Sequence, residues 1–161
     1  MNAIKLLEEQ HREVEKLFEQ FEKARTADTR LKLFETIADK LAAHAKLEEL
    51  YFYPETKKVR TEDMLREAVE EHLAAKRIIA DLLKMRPEDE QFEAKMMVLK
   101  EQVQHHVEEE EKQLFPEARK TFGERRLEEL GAIMEQEALE LEKTEPRLQV
   151  PNEIGAAAPI G

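Results

Sequence analysis

The sequence predicts an all-α protein: an up-down-up-down four-helix bundle with an additional C-terminal helix and a loose tail. Three observations carry this. Apolar residues recur at alternating spacings of three and four along four successive stretches, the period of helices with one buried face. Glycine, a poor helix former, is absent from the first 122 residues and falls only at 123, 131, 155 and 161. Finally, one phrase occurs twice. His44 and His106 are each followed at +4 by Glu (Glu48, Glu110), at +5 by Glu (Glu49, Glu111), and at +10 by Pro (Pro54, Pro116) after two large apolar residues.

The first helix is expected from Ile4 to about Lys23, its seam formed by Leu7, His11, Val14, Phe18 and Phe21. Thr26, Asp28 and Thr29 supply a turn and a cap. The second seam runs Phe34, Ile37, Leu41, His44, Glu48 and Tyr51, and Pro54 marks where that helix kinks or soon ends. After a turn near residue 58, Thr61-Glu62-Asp63 caps a third helix with Leu65, Ala68, His72, Ala75, Ile79 and Leu82 inward, stopped by Pro87. A fourth carries Phe92, Met96, Leu99, Val103, His106, Glu110 and Leu114. A fifth, from about Glu124 to Lys143, presents Leu127, Leu130, Ile133, Met134, Leu139 and Leu141. The bundle domain is therefore expected over residues 1–143, its four-helix core about 2–118, with residues 144–161 as a mobile or loosely docked tail.

Composition narrows the function. The net charge of −11 repels nucleic-acid backbones and anionic membrane surfaces, so neither is expected as a partner. There is no cysteine, so a metal site here must use His and carboxylate. Without an apolar signal core or a run of about 18 apolar residues, the expected location is the cytoplasm.

The repeated phrase then acquires a chemistry. His and Glu four apart stack on one helical face, a two-ligand clamp. His11 and His72 are 61 residues apart and His44 and His106 62, the mark of a duplicated helical hairpin. Residues equidistant from a hairpin turn share a level, so all four His converge on one layer of the bundle. Glu48 and Glu110 lie on the same buried seams, where an unpaired carboxylate is costly, and no Lys or Arg of those seams lies near. The metal site is thus His11, His44, Glu48, His72, His106 and Glu110. Six ligands are too many for one tetrahedral zinc; divided over two metals they give each two imidazoles, with both Glu free to bridge. Such a nitrogen and oxygen set with open positions suits iron, with manganese or zinc as the other candidates. The paired Glu-x-x-His of ferritin-like bundles is absent, since Leu41, Val69 and Val103 stand three residues before His44, His72 and His106. Around this layer, Glu49 is expected at the surface or behind a ligand. Glu108, Glu109 and Glu111 are expected to face water, His105 to flank the site about 100° off the seam, and Lys76 to face solvent with its stem along the bundle.

With these motifs, residues 4–118 resemble the hemerythrin-like, or HHE cation-binding, domains, in the subgroup with four His and two Glu. The resemblance implies a di-iron centre with a bridging oxygen, two non-haem iron ions held by the six residues above. Oxygen carriers of that family have a fifth His one turn after the third-helix ligand and an Asp at +5 of the last; here Lys76 and Glu111 occupy those positions, which points away from reversible oxygen carriage. The function expected is binding of, or redox reaction with, oxygen, peroxide or nitric oxide. The alternative is a metal-dependent regulatory, iron-sensing or iron-repair module acting through a protein partner.

Overall fold

Two side-chain caps start the first hairpin: Asn2 accepts the Lys5 backbone N–H at 2.9 Å, and Thr26 Oγ1 accepts that of Thr29 at 3.2 Å. They open α1 (Ala3–Lys23) and α2 (Ala27–Leu47). α2 continues through a π-helical turn, Glu48–Phe52, into the short α3 (Tyr53–Thr56). The second hairpin repeats this plan with α4 (Glu62–Leu83), α5 (Glu90–Glu109), a π-helical turn at Glu110–Leu114, and α6 (Phe115–Thr121). α7 (Glu124–Glu142) and a 3-10 segment, Pro146–Glu153, complete the chain. The structure, a computed structural model, describes residues 1–57 and 61–160. The turn expected near residue 58 lies outside them. No strand occurs among the described residues, and no helix among them is long and apolar enough to cross a membrane.

The two prolines account for the π-turns. Proline donates no N–H and its ring clashes with the carbonyl four residues back. In each copy the preceding N–H, of Tyr53 or Phe115, reaches back five residues to the carbonyl of Glu48 or Glu110, and the widened turn takes up the ring. The widening also changes the helical phase. On an unbroken α-helix Tyr53, nine residues after His44, would lie about 180° away from it. Instead Phe52 and Tyr53 are both fully buried, and Tyr51, expected on the seam, is only half-buried.

The His level divides the interior in two. On one side lies a core of Ile4, Leu7, Leu47, Phe52, Tyr53, Leu65, Leu114 and Phe115, covered by Leu127, Leu130 and Met134 of α7. On the other lies a core of Val14, Phe18, Phe21, Phe34, Ile37, Ile79, Phe92 and Leu99. α7 sits close because Gly131 admits the N-terminal backbone: a Cβ there would stand 2.2 Å from the Met1 carbonyl oxygen. The stripe of α7 therefore runs 127, 130, 131, 134, and Ile133 and Leu139, expected inward, are exposed.

The tail is not loose. Val150 is fully buried in the second core, and the 3-10 segment packs on both α2 and α4. Arg147 fixes it, donating through Nη1 to Asp39 at 2.9 Å and through Nη2 to Glu35 at 3.1 Å. Arg77 Nε adds a bond to the Ile154 carbonyl. The apolar contacts of the tail come from Pro146, Val150, Ile154, Ala157, Ala158 and Ile160, in a stretch broken by Pro151 and Pro159, which is why the packed body extends past residue 143 without a helical signal.

Candidate metal centre

Each long helix supplies one imidazole to the layer. His11 (α1), His44 (α2), His72 (α4) and His106 (α5) are buried, and so are Glu48 and Glu110 at the first residue of each π-turn. The Nε2 atoms face one another in pairs, His11 to His44 at 3.2 Å and His72 to His106 at 3.2 Å. Glu48 Oε1 spans the pairs, 3.2 Å from His44 Nε2 and 3.1 Å from His72 Nε2. Glu110 spans them the other way, with Oε1 3.1 Å from His11 Nε2 and Oε2 3.3 Å from His106 Nε2. Ligand atoms thus converge in two groups, His11, His44, Glu48 and Glu110, and Glu48, His72 and His106.

The outer contacts set the tautomers. His11 Nδ1–H donates to Glu111 at 2.6 Å, His44 Nδ1–H to Gln10 at 2.7 Å, His72 Nδ1–H to Glu49 at 2.7 Å, and His106 Nδ1–H to Glu71 at 2.7 Å. With every Nδ1 carrying its proton, each neutral ring turns an Nε2 lone pair inward. Lone pairs 3.2 Å apart repel unless a cation lies between them. Two carboxylate oxygens point the same way: among the described residues Glu48 Oε2 has no hydrogen-bond partner, and Glu110 Oε1 accepts none, although His11 Nε2 lies 3.1 Å from it.

Without a cation, protons must supply the balancing charge. Burial alone would lower the His11 pKa, but Glu110 and Glu111 outweigh it and raise it to about 9. His72 is raised against the same burial by Glu48 and Glu49, and His106 well above the usual range by Glu110, Glu48 and Glu71. Burial would raise Glu48, yet the His44 and His106 imidazoles hold it well below the usual carboxylate range.

Several residues depart from expectation. Glu111, expected in water, is half-buried on His11, and Arg12 Nη2 donates to it at 2.5 Å. Lys76, expected in solvent, is buried with Nζ 3.1 Å from both oxygens of Glu49. Both reversals arise where helices of different hairpins meet, which spacing along one helix does not report. His105 is exposed, away from the layer, where it joins Glu67, Glu71 and Glu109 in a surface cluster. Glu108 is exposed as expected.

Sequence reasoning missed Gln10 and Glu71 behind the rings, and in the layer itself it missed Tyr53. Its hydroxyl donates to Glu110 Oε2 at 2.7 Å and lies 3.2 Å from Glu48 Oε1, 3.3 Å from His72 Nε2 and 3.5 Å from His106 Nε2. Burial and the two carboxylates push its pKa well above the usual phenol value, so it keeps its proton. The signal was its place in the repeated phrase, aligned with Phe115 nine residues after the clamp His, but an unbroken α-helix turns that position outward.

On the side away from the carboxylates, a cavity of about 50 Å³ opens against the four imidazoles, walled by Val14, Leu41, Ile79, Val103 and Val107. It has room for only a few atoms.

The hemerythrin HHE cation binding domain family matches residues 2–118. Among solved structures, a hemerythrin HHE cation binding domain-containing protein from Mycobacterium kansasii is similar, at 24% identity and a TM-score of 0.79, over 94% of this chain and 98% of that one. That likeness is one of fold. No curated protein sequence matches the chain.

Proposed function

Because the chain belongs to the hemerythrin HHE cation binding domain family, we propose that the buried layer holds two metal ions, iron first among the candidates, and that its open side binds or reacts with a small ligand such as oxygen, nitric oxide or peroxide. The observation that carries the reading is the set of four inward Nε2 atoms beside two carboxylate oxygens without a donor. A cation at each group satisfies all of them at once.

In this reading His11 and His44 hold one ion and His72 and His106 the other, with Glu48 and Glu110 shared between them. An iron pair would supply one-electron steps between ferrous and ferric states. The outer acceptors Glu111, Gln10, Glu49 and Glu71 keep each ring turned inward. Tyr53 has two roles open to it, an additional oxygen donor beside His72 and His106 or a proton source at its hydroxyl, the raised pKa favouring the second. The apolar walls exclude bulk water from the open side.

Anaerobic loading with ferrous iron should give two ions per chain, and exposure to oxygen, nitric oxide or peroxide should then change the visible spectrum. A loaded protein inert to all three would overturn the reading. A second reading, a metal-dependent sensing module, draws on one contact: Glu153 of the tail lies 4.0 Å from Lys76 Nζ, which is bonded to Glu49 and through it to His72. It predicts protease cleavage after residue 143 only when metal is removed.

A further inference from the structure

Four depressions of the surface share wall residues with the inner cavity; one, lined by Arg12, Glu15, Glu108, Glu111 and Lys112, meets it only at Val107, and the other three differ in what closes them. The groove between α2 and α7 shares Gln10 and Val14 with the cavity. The one between α4 and α5 shares Glu71 and His106. Gln10 and Glu71 are the acceptors that hold the His44 and His106 rings, so opening either route at those residues breaks a hydrogen bond to a proposed ligand. The third depression, about 160 Å³ between α1 and α5, shares only Val14, Val103 and Val107. The side chains common to both are hydrocarbon. Side-chain rotation of a valine costs no hydrogen bond, and such motions are fast.

The chemistry of this third route is selective. Its mouth carries Glu15 and Glu19 against one ammonium, Lys100, which is itself paired with Glu22. An anion meets carboxylates there, and a strongly hydrated molecule must shed its water to pass three valines. A neutral diatomic such as oxygen or nitric oxide faces neither cost.

We propose that the seam of Val14, Val103 and Val107 between α1 and α5 is the entrance for the small ligand and selects a neutral, weakly hydrated diatomic over peroxide and anions. The inference rests on the proposed reactivity of the centre but has a readout that does not. Val103 is the least buried of the three, so Val103→Trp fills the entrance from outside with little disturbance of the core. In iron-loaded protein it should slow nitric oxide binding at least tenfold in stopped flow, with metal content and melting temperature unchanged. Val107→Ala should speed it several-fold. Ala43→Trp, which fills the α2 and α7 groove, should leave the rate alone.

If Ala43→Trp slows the reaction and Val103→Trp does not, the seam is not the entrance. Equal rates for nitric oxide and azide in the unmodified protein would overturn the selectivity. Xenon-pressurised crystals of the metal-free protein should show a xenon atom beside the three valines, absent in Val103→Trp. Should the loaded protein prove inert to every ligand, the proposed function fails, while the xenon experiment still decides whether the seam admits an apolar atom.

Discussion

The two hairpins face the metal layer almost identically and differ behind it. Both pair their Nε2 atoms at 3.2 Å, both place the +4 Glu at the first residue of a π-turn, and both send the +5 Glu to the solitary His of the other hairpin: Glu49 to His72, and Glu111 to His11. The +9 aromatic also crosses, Tyr53 stacking on His72 with ring centroids 5.5 Å apart and Phe115 on His11 at 5.9 Å. Two of the differences change the polarity beside the imidazoles. Tyr53 brings a hydroxyl to the His72 and His106 group where Phe115 brings none, and Glu71 sets a negative charge behind His106 where Gln10 sets a neutral amide behind His44. The two halves are thus matched in the side chains that face the layer and divergent in some of those behind it, which in the proposed reading would make the two ions unequal.

The largest effect should come from breaking what the halves share. Glu48 approaches His44, His72 and His106, whereas Glu110 approaches His11, His106 and, distantly, His44. Either replacement by Ala should drop metal content below two per chain, Glu48→Ala further than Glu110→Ala, as read by elemental analysis. Chelation should lower the melting temperature too. With metal at a hundred times its dissociation constant the linkage is about 2.7 kcal/mol, or roughly 5–10 °C for a chain of this size.

Next come substitutions that make the halves alike. Glu71→Gln should weaken metal binding about 10–100-fold by removing the charge behind His106, with Gln10→Glu shifting affinity the other way. Equal responses from both variants would contradict the inequality of the two positions. Tyr53→Phe leaves Glu110 Oε2 without its phenolic donor and should destabilise the protein by about 1–3 kcal/mol. The reciprocal Phe115→Tyr buries a hydroxyl in the apolar core beside His11 and should cost about as much.

A subtler separation is by pH. In metal-free protein His11, raised from 6.5 to about 9, contributes stability that is complete below about pH 6.5 and lost as pH rises through about 9. Denaturation of the stripped protein should show that decline and the loaded protein should not, because uptake displaces the proton. A stripped protein that gained stability over this window would mean that protons do not balance the carboxylates. The smallest effect belongs to His105→Ala, which should leave metal content unchanged, the exposed ring lying outside the layer.

Much of this was legible in the residues themselves. Three-and-four spacing located the long helices, and the interval between His11 and His72 matched that between His44 and His106, so the six-residue layer could be read from phase and level. What escaped has physical causes. The π-turns advance fewer degrees per residue, so Tyr53 enters where an α-helical count excludes it. Lys76 is buried and Glu111 half-buried by partners on another hairpin, a relation without a sequence period. Pro146, Val150 and Ile154 dock the tail in a stretch broken by Pro151, with Arg147 paired to Glu35 and Asp39, so no helical pattern registers.

The crossing contacts bear on how such a site could have begun. One hairpin alone holds two imidazoles, one buried carboxylate, and an aromatic and a +5 Glu aimed at rings it does not own. Two copies of that hairpin related by a two-fold axis would reproduce each crossing contact, since in such an isologous pairing whatever one copy gives it also receives. The layer has the form of a symmetric dimer interface contained in one chain, and carrying both halves in one chain is what allows Tyr53 and Phe115, or Gln10 and Glu71, to differ.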